Sequence, residues 1–185
     1  MKIEELKTQL EAKLPGVVLK QVRDSLLVEN PADLPKVASY LKNSDLKIDY
    51  LSSVTGADYL DYLESVYHLY SMTHKTSLIT LRVQVKRDNP KVPSLVAIYR
   101  SAEFQERDSY DMYGIIYEGH PDLRRIYMWE GFAGFPMRKD YVQEDSEWLE
   151  PEDLDWLEKR GVAVTEEMRE KSKQARVIKK DAGEA

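Results

Sequence analysis

Apolar residues return along this chain in two distinct rhythms. Ile3, Leu6, Leu10 and Leu14 recur at helical spacing with Glu and Lys between them, and Pro15-Gly16 ends the run, so a short amphipathic helix is predicted. Val17 to Val22 and Ser25 to Glu29 flank Arg23-Asp24 as a β-hairpin. Asn30-Pro31-Ala32-Asp33 is a helix start: a capping Asn, Pro in the first turn and an acid facing the positive end of the helix dipole. Leu34, Val37, Ala38 and Leu41 then make one apolar stripe. Strands are predicted over Leu46 to Val54, closed by Thr55-Gly56, over Leu63 to Met72, and over Leu78 to Lys86, with a turn at Thr73 to Thr76. The last strand alternates most clearly, with Ile79, Leu81, Val83 and Val85 on one face and Thr80, Arg82, Gln84 and Lys86 on the other. One dry and one wet face fit an antiparallel sheet.

Asp88-Asn89-Pro90 and Pro93 break the pattern, and two short helices are predicted over Ser94 to Arg100 and Ala102 to Tyr113, the second capped by Gly114. Regular periodicity then stops. Residues 115–142 are rich in Gly, Pro and aromatics, the make-up of an ordered functional loop. Glu144 to Glu158 is acidic, interleaved with Trp148, Leu149, Leu154, Trp156 and Leu157, and Met168 to Lys180 is a mixed-charge helical stretch. The fold class is therefore α+β: an N-terminal domain of mixed helix and mainly antiparallel sheet (1–114), an extended irregular aromatic and charged loop (115–142), and an acidic, then mixed-charge C-terminal tail (143–185) that is either solvated or wraps partners.

Composition narrows the chemistry. The chain of 185 residues holds 42% hydrophobic residues, enough for a core. It has no cysteine, which excludes thiolate-held iron–sulfur clusters, Cys zinc sites and a nucleophilic Cys. The net charge of -6 disfavours a nucleic-acid partner. The charged N-terminus has no apolar signal-peptide core, and no apolar run reaches the ~20 residues of a membrane span.

The chemistry-bearing residues cluster in the middle. Glu106, Arg107 and Asp111 lie on one predicted helix, where Arg107 and Asp111 are four apart and can pair. His120 stands in Gly119-His120-Pro121-Asp122; with Asp122 or Glu118 it could form a hydrolytic dyad, although a lone His beside Pro is more often a hydrogen-bonded turn residue. Arg124 and Arg125 can fork onto carboxylates or carbonyls. Arg138, Lys139 and Asp140 repeat the theme of a turn followed by fixed charge. No Walker loop, GxGxxG or His-x-x-x-His spacing exists. Aromatics without a cofactor motif favour a protein interface over a small-molecule pocket.

These residues resemble the signature of the 30 kDa subunit family of respiratory complex I, known in bacteria as the C-type subunit of NADH-quinone oxidoreductase. Glu106-Arg107, Asp111-Met112-Tyr113, His120, Arg124 and Ile126-Tyr127 fit its central pattern, and Gly131-Phe132 with Gly134-Phe135-Pro136-Met137-Arg138-Lys139-Asp140-Tyr141 fit its closing segment. The resemblance extends over residues 1–142. Asp108 stands where the family usually has Glu, and Tyr127 to Glu130 is more variable. The resemblance implies a structural subunit without catalytic, metal or cofactor residues of its own. It would dock on the 49 kDa-type subunit and other peripheral-arm subunits near the quinone module. FMN, iron–sulfur clusters and quinone would belong to those partners. The complex would carry electrons from NADH to quinone with proton translocation, and this chain would sit peripherally on the cytoplasmic face of the inner membrane, held there by the complex alone. Glu106, Arg107, Asp111, His120, Arg124, Arg125, Arg138, Lys139 and Asp140 would serve the subunit interface or brace the loop. Related chains in membrane-bound NiFe-hydrogenase and F420H2-dehydrogenase complexes share the motif.

Overall fold

The computed structural model describes residues 3–75, 78–129 and 131–141, and further on 154–155, 158–159, 164–166 and 168–170. The chain forms two compact units, residues 1–141 and 142–185. In the second, residues 154–155, 158–159, 166 and 168–170 are helical, Leu154 is buried, and Arg169 pairs with Glu158. Most of the acidic stretch from Glu144, and residues 171–180 of the mixed-charge stretch, lie outside the described residues.

The first unit is α+β, with α1 (Ile3–Lys13), β1 (Leu19–Val22), β2 (Ser25–Val28), α2 (Leu34–Asn43), β3 (Tyr50–Asp58), β4 (Tyr62–Tyr70), β5 (Ile79–Lys86), β6 (Lys91–Pro93), α3 (Ala102–Tyr113) and β7 (Ile116–Glu118). Strands β1 to β5 make one sheet in the order β1-β2-β5-β4-β3, antiparallel throughout except where β2 runs parallel to β5. All four residues of β2 are buried, as a strand covered on both faces requires. Strands β6 and β7 pair in parallel, and the chain between them carries α3, a small βαβ crossover.

Local chemistry explains the expected elements. Arg23 takes a left-handed φ of 53° and closes the β1–β2 hairpin. The Asn30 side chain accepts from the Ala32 N–H at 3.2 Å, so Pro31–Asp33 winds as a 3-10 turn that leads into α2. Leu34, Val37, Ala38 and Leu41 are buried against Leu6, Leu10 and the sheet in one core. In β5 the alternation is complete, with Ile79, Leu81, Val83 and Val85 buried.

Three expectations are corrected. The strand expected over 46–54 lies at Tyr50–Asp58. Lys47 adopts a left-handed φ of 46° and the Ile48 N–H bonds back to the Leu41 carbonyl, so this apolar stretch finishes α2 instead of pairing. An irregularity between Leu51 and Ser53 then resets the alternation, bringing Leu51, Val54, Gly56 and Asp58 to buried positions. Ser94 to Arg100 is a set of turns, not a helix, because the Ser94 N–H goes to Glu118 and the Leu95 N–H to the Glu106 carboxylate. The region after Pro90 also holds β6 and β7, three-residue strands too short to show a period.

Gly56, expected to close a strand, lies inside β3 because α3 packs onto it. A Cβ there would come within 2.4 Å of the Tyr113 ring and 2.8 Å of Ser109 Oγ. Gly56→Val is expected to cost about 1–3 kcal/mol through overpacking. Gly16→Ala, at a φ of +90° with open space around it, should cost about 1 kcal/mol through backbone strain alone. Urea unfolding of both variants measures the contrast, and equal losses would contradict the packing argument.

Candidate functional site

Helix α3 carries an unusual inner face, for Glu106, Arg107, Ser109 and Asp111 are all buried. Such residues are seldom buried unless bonded. Here most of their partners come from the strap of chain that follows the helix. That strap has little ladder of its own and therefore needs acceptors for its N–H groups and donors for its carbonyls.

Asp111 is the centre. One carboxylate oxygen accepts the N–H groups of Ile126, Tyr127 and Met128 at 2.9, 2.6 and 3.0 Å, and the other accepts Arg125 at 3.1 Å. Burial alone would raise its pKa, but three backbone donors and the guanidinium outweigh it and hold the carboxyl below its ordinary range. Arg107 donates to the carbonyls of Arg124 at 3.1 Å and Arg125 at 3.4 Å. Glu106 accepts from Ser94 Oγ at 2.6 Å and the Leu95 N–H at 2.7 Å. Among the described residues no cation joins it, and burial pushes it up to about 7. The ring of His120 lies 2.9 Å from the Glu103 carbonyl through Nε2 and accepts the Asp122 N–H through Nδ1 at 3.0 Å. That bonding assigns the neutral Nε2–H tautomer and leaves neither ring nitrogen free as a base.

The closing segment is fastened at several points, among them the Met137 N–H on the Met112 carbonyl at 3.1 Å. Arg125 also donates to the Gly134 carbonyl at 2.9 Å and faces the rings of Phe132 and Phe135. Arg138 donates to the Tyr113 carbonyl at 2.6 Å while stacking over Phe135 at 4.6 Å. Gly114, capping α3 at a left-handed φ of 73°, leaves the space that Phe135 fills. Lys139 donates its N–H to buried Asp58 at 2.8 Å, and Arg87 bridges Asp58 and Asp140. Burial would raise Asp58 too, yet the N–H groups of Lys139 and Leu60, with Arg87, bring it down.

Glu106, Arg107, Asp111, Arg125 and Arg138 are thus tied into the fold. Arg107 and Asp111 do not pair with each other, because each reaches a different stretch of the loop. Arg124 pairs at the surface with Asp122, and Lys139 and Asp140 are exposed. Sequence reasoning missed Asp58 and Arg87, which stand far from the motif in the chain. It also missed a groove of about 550 Å³ between β3, α3 and the strap, walled by Met112, Met128 and Met137, with Asp108 in its lining. Among the described residues no group of three or more His, Asp or Glu could hold a metal ion.

A family model described as "Respiratory-chain NADH dehydrogenase, 30 Kd subunit" matches residues 27–147. The C 2 subunit of NADH-quinone oxidoreductase from Rhizobium meliloti (strain 1021) is 45% identical over 118 residues, 60% of this chain and 62% of that protein. The chain therefore spans about three-fifths of that relative's length. The C-type subunit of NADH-quinone oxidoreductase from Herpetosiphon aurantiacus is 36% identical over 157 residues, covering 82% of this chain and 91% of the relative. Among solved structures, a trypsin-resistant fragment of Nqo5 aligns with a TM-score of 0.54 at 29% identity, over 66% of this chain and all of the fragment. A chain of a membrane-bound sulfane sulfur reductase, an archaeal respiratory membrane complex, aligns with a TM-score of 0.63 over 89% of this chain and 94% of that one; at 21% identity it shows likeness of fold alone.

Two measurements probe the site. Asp111→Ala, which strands Arg125 and three backbone donors, is expected to lose about 3–5 kcal/mol in urea unfolding, whereas Arg124→Ala should leave the midpoint nearly unmoved. Glu106 has its pKa raised on folding, so its contribution is fully present below about 4.5 and lost as pH rises through about 7. Glu106→Gln is expected to remove that slope and gain about 2–3 kcal/mol at pH 8 relative to the parent chain. An unchanged pH profile would show that Glu106 ionises freely.

Proposed function

Because the chain belongs to the respiratory-chain NADH dehydrogenase 30 kDa subunit family, we propose that it is a structural subunit of the peripheral arm of a proton-translocating NADH:quinone oxidoreductase. In this reading it docks on the 49 kDa-type subunit near the quinone module and supports electron transfer from NADH to quinone. FMN, iron–sulfur clusters and quinone belong to partner subunits, and the chain itself catalyses nothing. Among the described residues no helix is long and apolar enough to cross a membrane, so in this reading the chain reaches the cytoplasmic face of the inner membrane through its partners.

The observation that carries the reading is where the site directs its charge. Asp111, Arg107, Arg125 and Arg138 are engaged with the protein's own backbone, and His120 has both nitrogens occupied. Beside the exposed Arg124–Asp122 pair, Lys139 and Asp140, the surface carries large apolar side chains: Tyr127, Trp129, Met137 and Phe104 are each more than half exposed. A rigid strap that displays aromatics and methionine suits a protein interface better than a reaction centre. The likeness of fold to a chain of an archaeal respiratory membrane complex favours one second reading, the equivalent place in a membrane-bound NiFe-hydrogenase or F420H2-dehydrogenase.

Affinity purification of the chain from native membranes, with mass spectrometry, tests this. Flavin, iron–sulfur and quinone-module subunits are expected to co-purify; nickel-bearing partners would select the second reading. Arg138→Ala, which frees the closing segment from Tyr113, should lower the membrane-assembled complex and its quinone reductase activity severalfold. Turnover of a substrate by the chain alone would overturn the proposal.

A further inference from the structure

Asp108 stands apart from the other acids around it. Asp58 and Asp111 hold backbone donors and a guanidinium, Asp122 and Asp140 pair with arginines, and Glu106 accepts two hydrogen bonds. Among the described residues no donor or cation pairs with the Asp108 carboxylate, although it is half buried in the lining of the methionine-walled groove. Burial and the nearby charge of Asp111 both raise its pKa. A charge kept in such a place without a partner is a cost, and a cation arriving with an occupant would offset it.

The walls define the rest of the occupant. Met112, Met128 and Met137 offer a deformable apolar lining, and Tyr127 and Met137 are exposed at the rim. Asp108 repels phosphate, so neither an anionic lipid headgroup nor nucleic acid matches. One charged group does not orient a small molecule, which needs several convergent polar contacts. We propose that this groove receives a segment of a neighbouring protein subunit that inserts an apolar side chain and sets an adjacent arginine or lysine against Asp108. The inference rests on the proposed role as a subunit of a larger complex and names where and how one partner is gripped.

The test places benzoylphenylalanine at Tyr127 in the full chain, made in cells that assemble the complex. Isolated membranes are irradiated and the cross-linked peptide is sequenced. One peptide of another subunit is expected, with an arginine or lysine within about one helical turn of the linked residue. Asp108→Asn should cut the cross-link yield about tenfold, while the unfolding midpoint of the purified chain stays level or rises. Exchanging the charges, Asp108→Arg together with the partner's base→Asp, should restore the yield. Cross-links to lipid, to a second copy of this chain, to its own residues 142–185 or to a peptide without a base would overturn the proposal. So would an undiminished yield with Asp108→Asn, or no rescue by the exchange. A chain that co-purifies with the complex but gives no cross-link at Tyr127 overturns the groove alone; a chain absent from any complex overturns the functional reading beneath it.

Discussion

The carboxylate of Asp111 is the interaction on which the middle of this protein depends. A segment without a ladder exposes donors and acceptors at every residue, and a segment packed on a core cannot leave them to water. By gathering three successive N–H groups and the Arg125 guanidinium onto one buried acid, α3 replaces the hydrogen bonds a strand would have supplied. Arg107 does the converse, serving two carbonyls just upstream. The strap is thereby held as firmly as an element while Ile126, Tyr127 and Trp129 stay exposed on it.

The same logic carries forward to Tyr141. Arg125 links the Asp111 nest to Gly134, Phe135 lies against two guanidinium groups, and Arg138 reaches back to the last turn of α3. Asp58 then secures Lys139 from the opposite side, at the end of β3. Each arginine makes a planar contact and a directed hydrogen bond at once, which a lysine could not do. The aromatic and methionine surface is therefore presented by a scaffold already fixed by backbone hydrogen bonds, so little ordering is left to oppose docking.

Local signals in the sequence reached most of the core. The alternation of Ile79 to Val85 and the stripe of Leu34 to Leu41 are decided by neighbours a few residues away, and they form as read; the Asn30 cap forms too, but on a 3-10 turn that precedes α2. Thr55-Gly56 misled because a glycine that stops a strand and one that admits a tyrosine ring look the same in sequence; only the approach of Tyr113 tells them apart. Strands β6 and β7 lack a period, and their parallel pairing is fixed by α3 between them. The motif drew attention to Glu106, Arg107, Asp111 and Arg138 by residue type, but the expected Arg107–Asp111 pair assumed an exposed helix. Burial turned each toward the loop, a choice that spacing cannot express.

Asp108 shows the complementary case. On one helix, Glu106, Arg107, Ser109 and Asp111 turn inward, while Asp108 meets the groove. Asp111 offsets its burial with donors of the loop, and Glu106 offsets part of its own with Ser94 and Leu95; Asp108 carries its burial penalty with no hydrogen bond or ion pair among the described residues. Stability alone would favour a neutral residue there. An acid held against that preference, beside methionines able to reshape around an incoming side chain, makes physical sense when the missing half of the ion pair belongs to another chain. The helix thus divides its charges by direction: those facing in build the platform, and the one facing the groove is left for the partner.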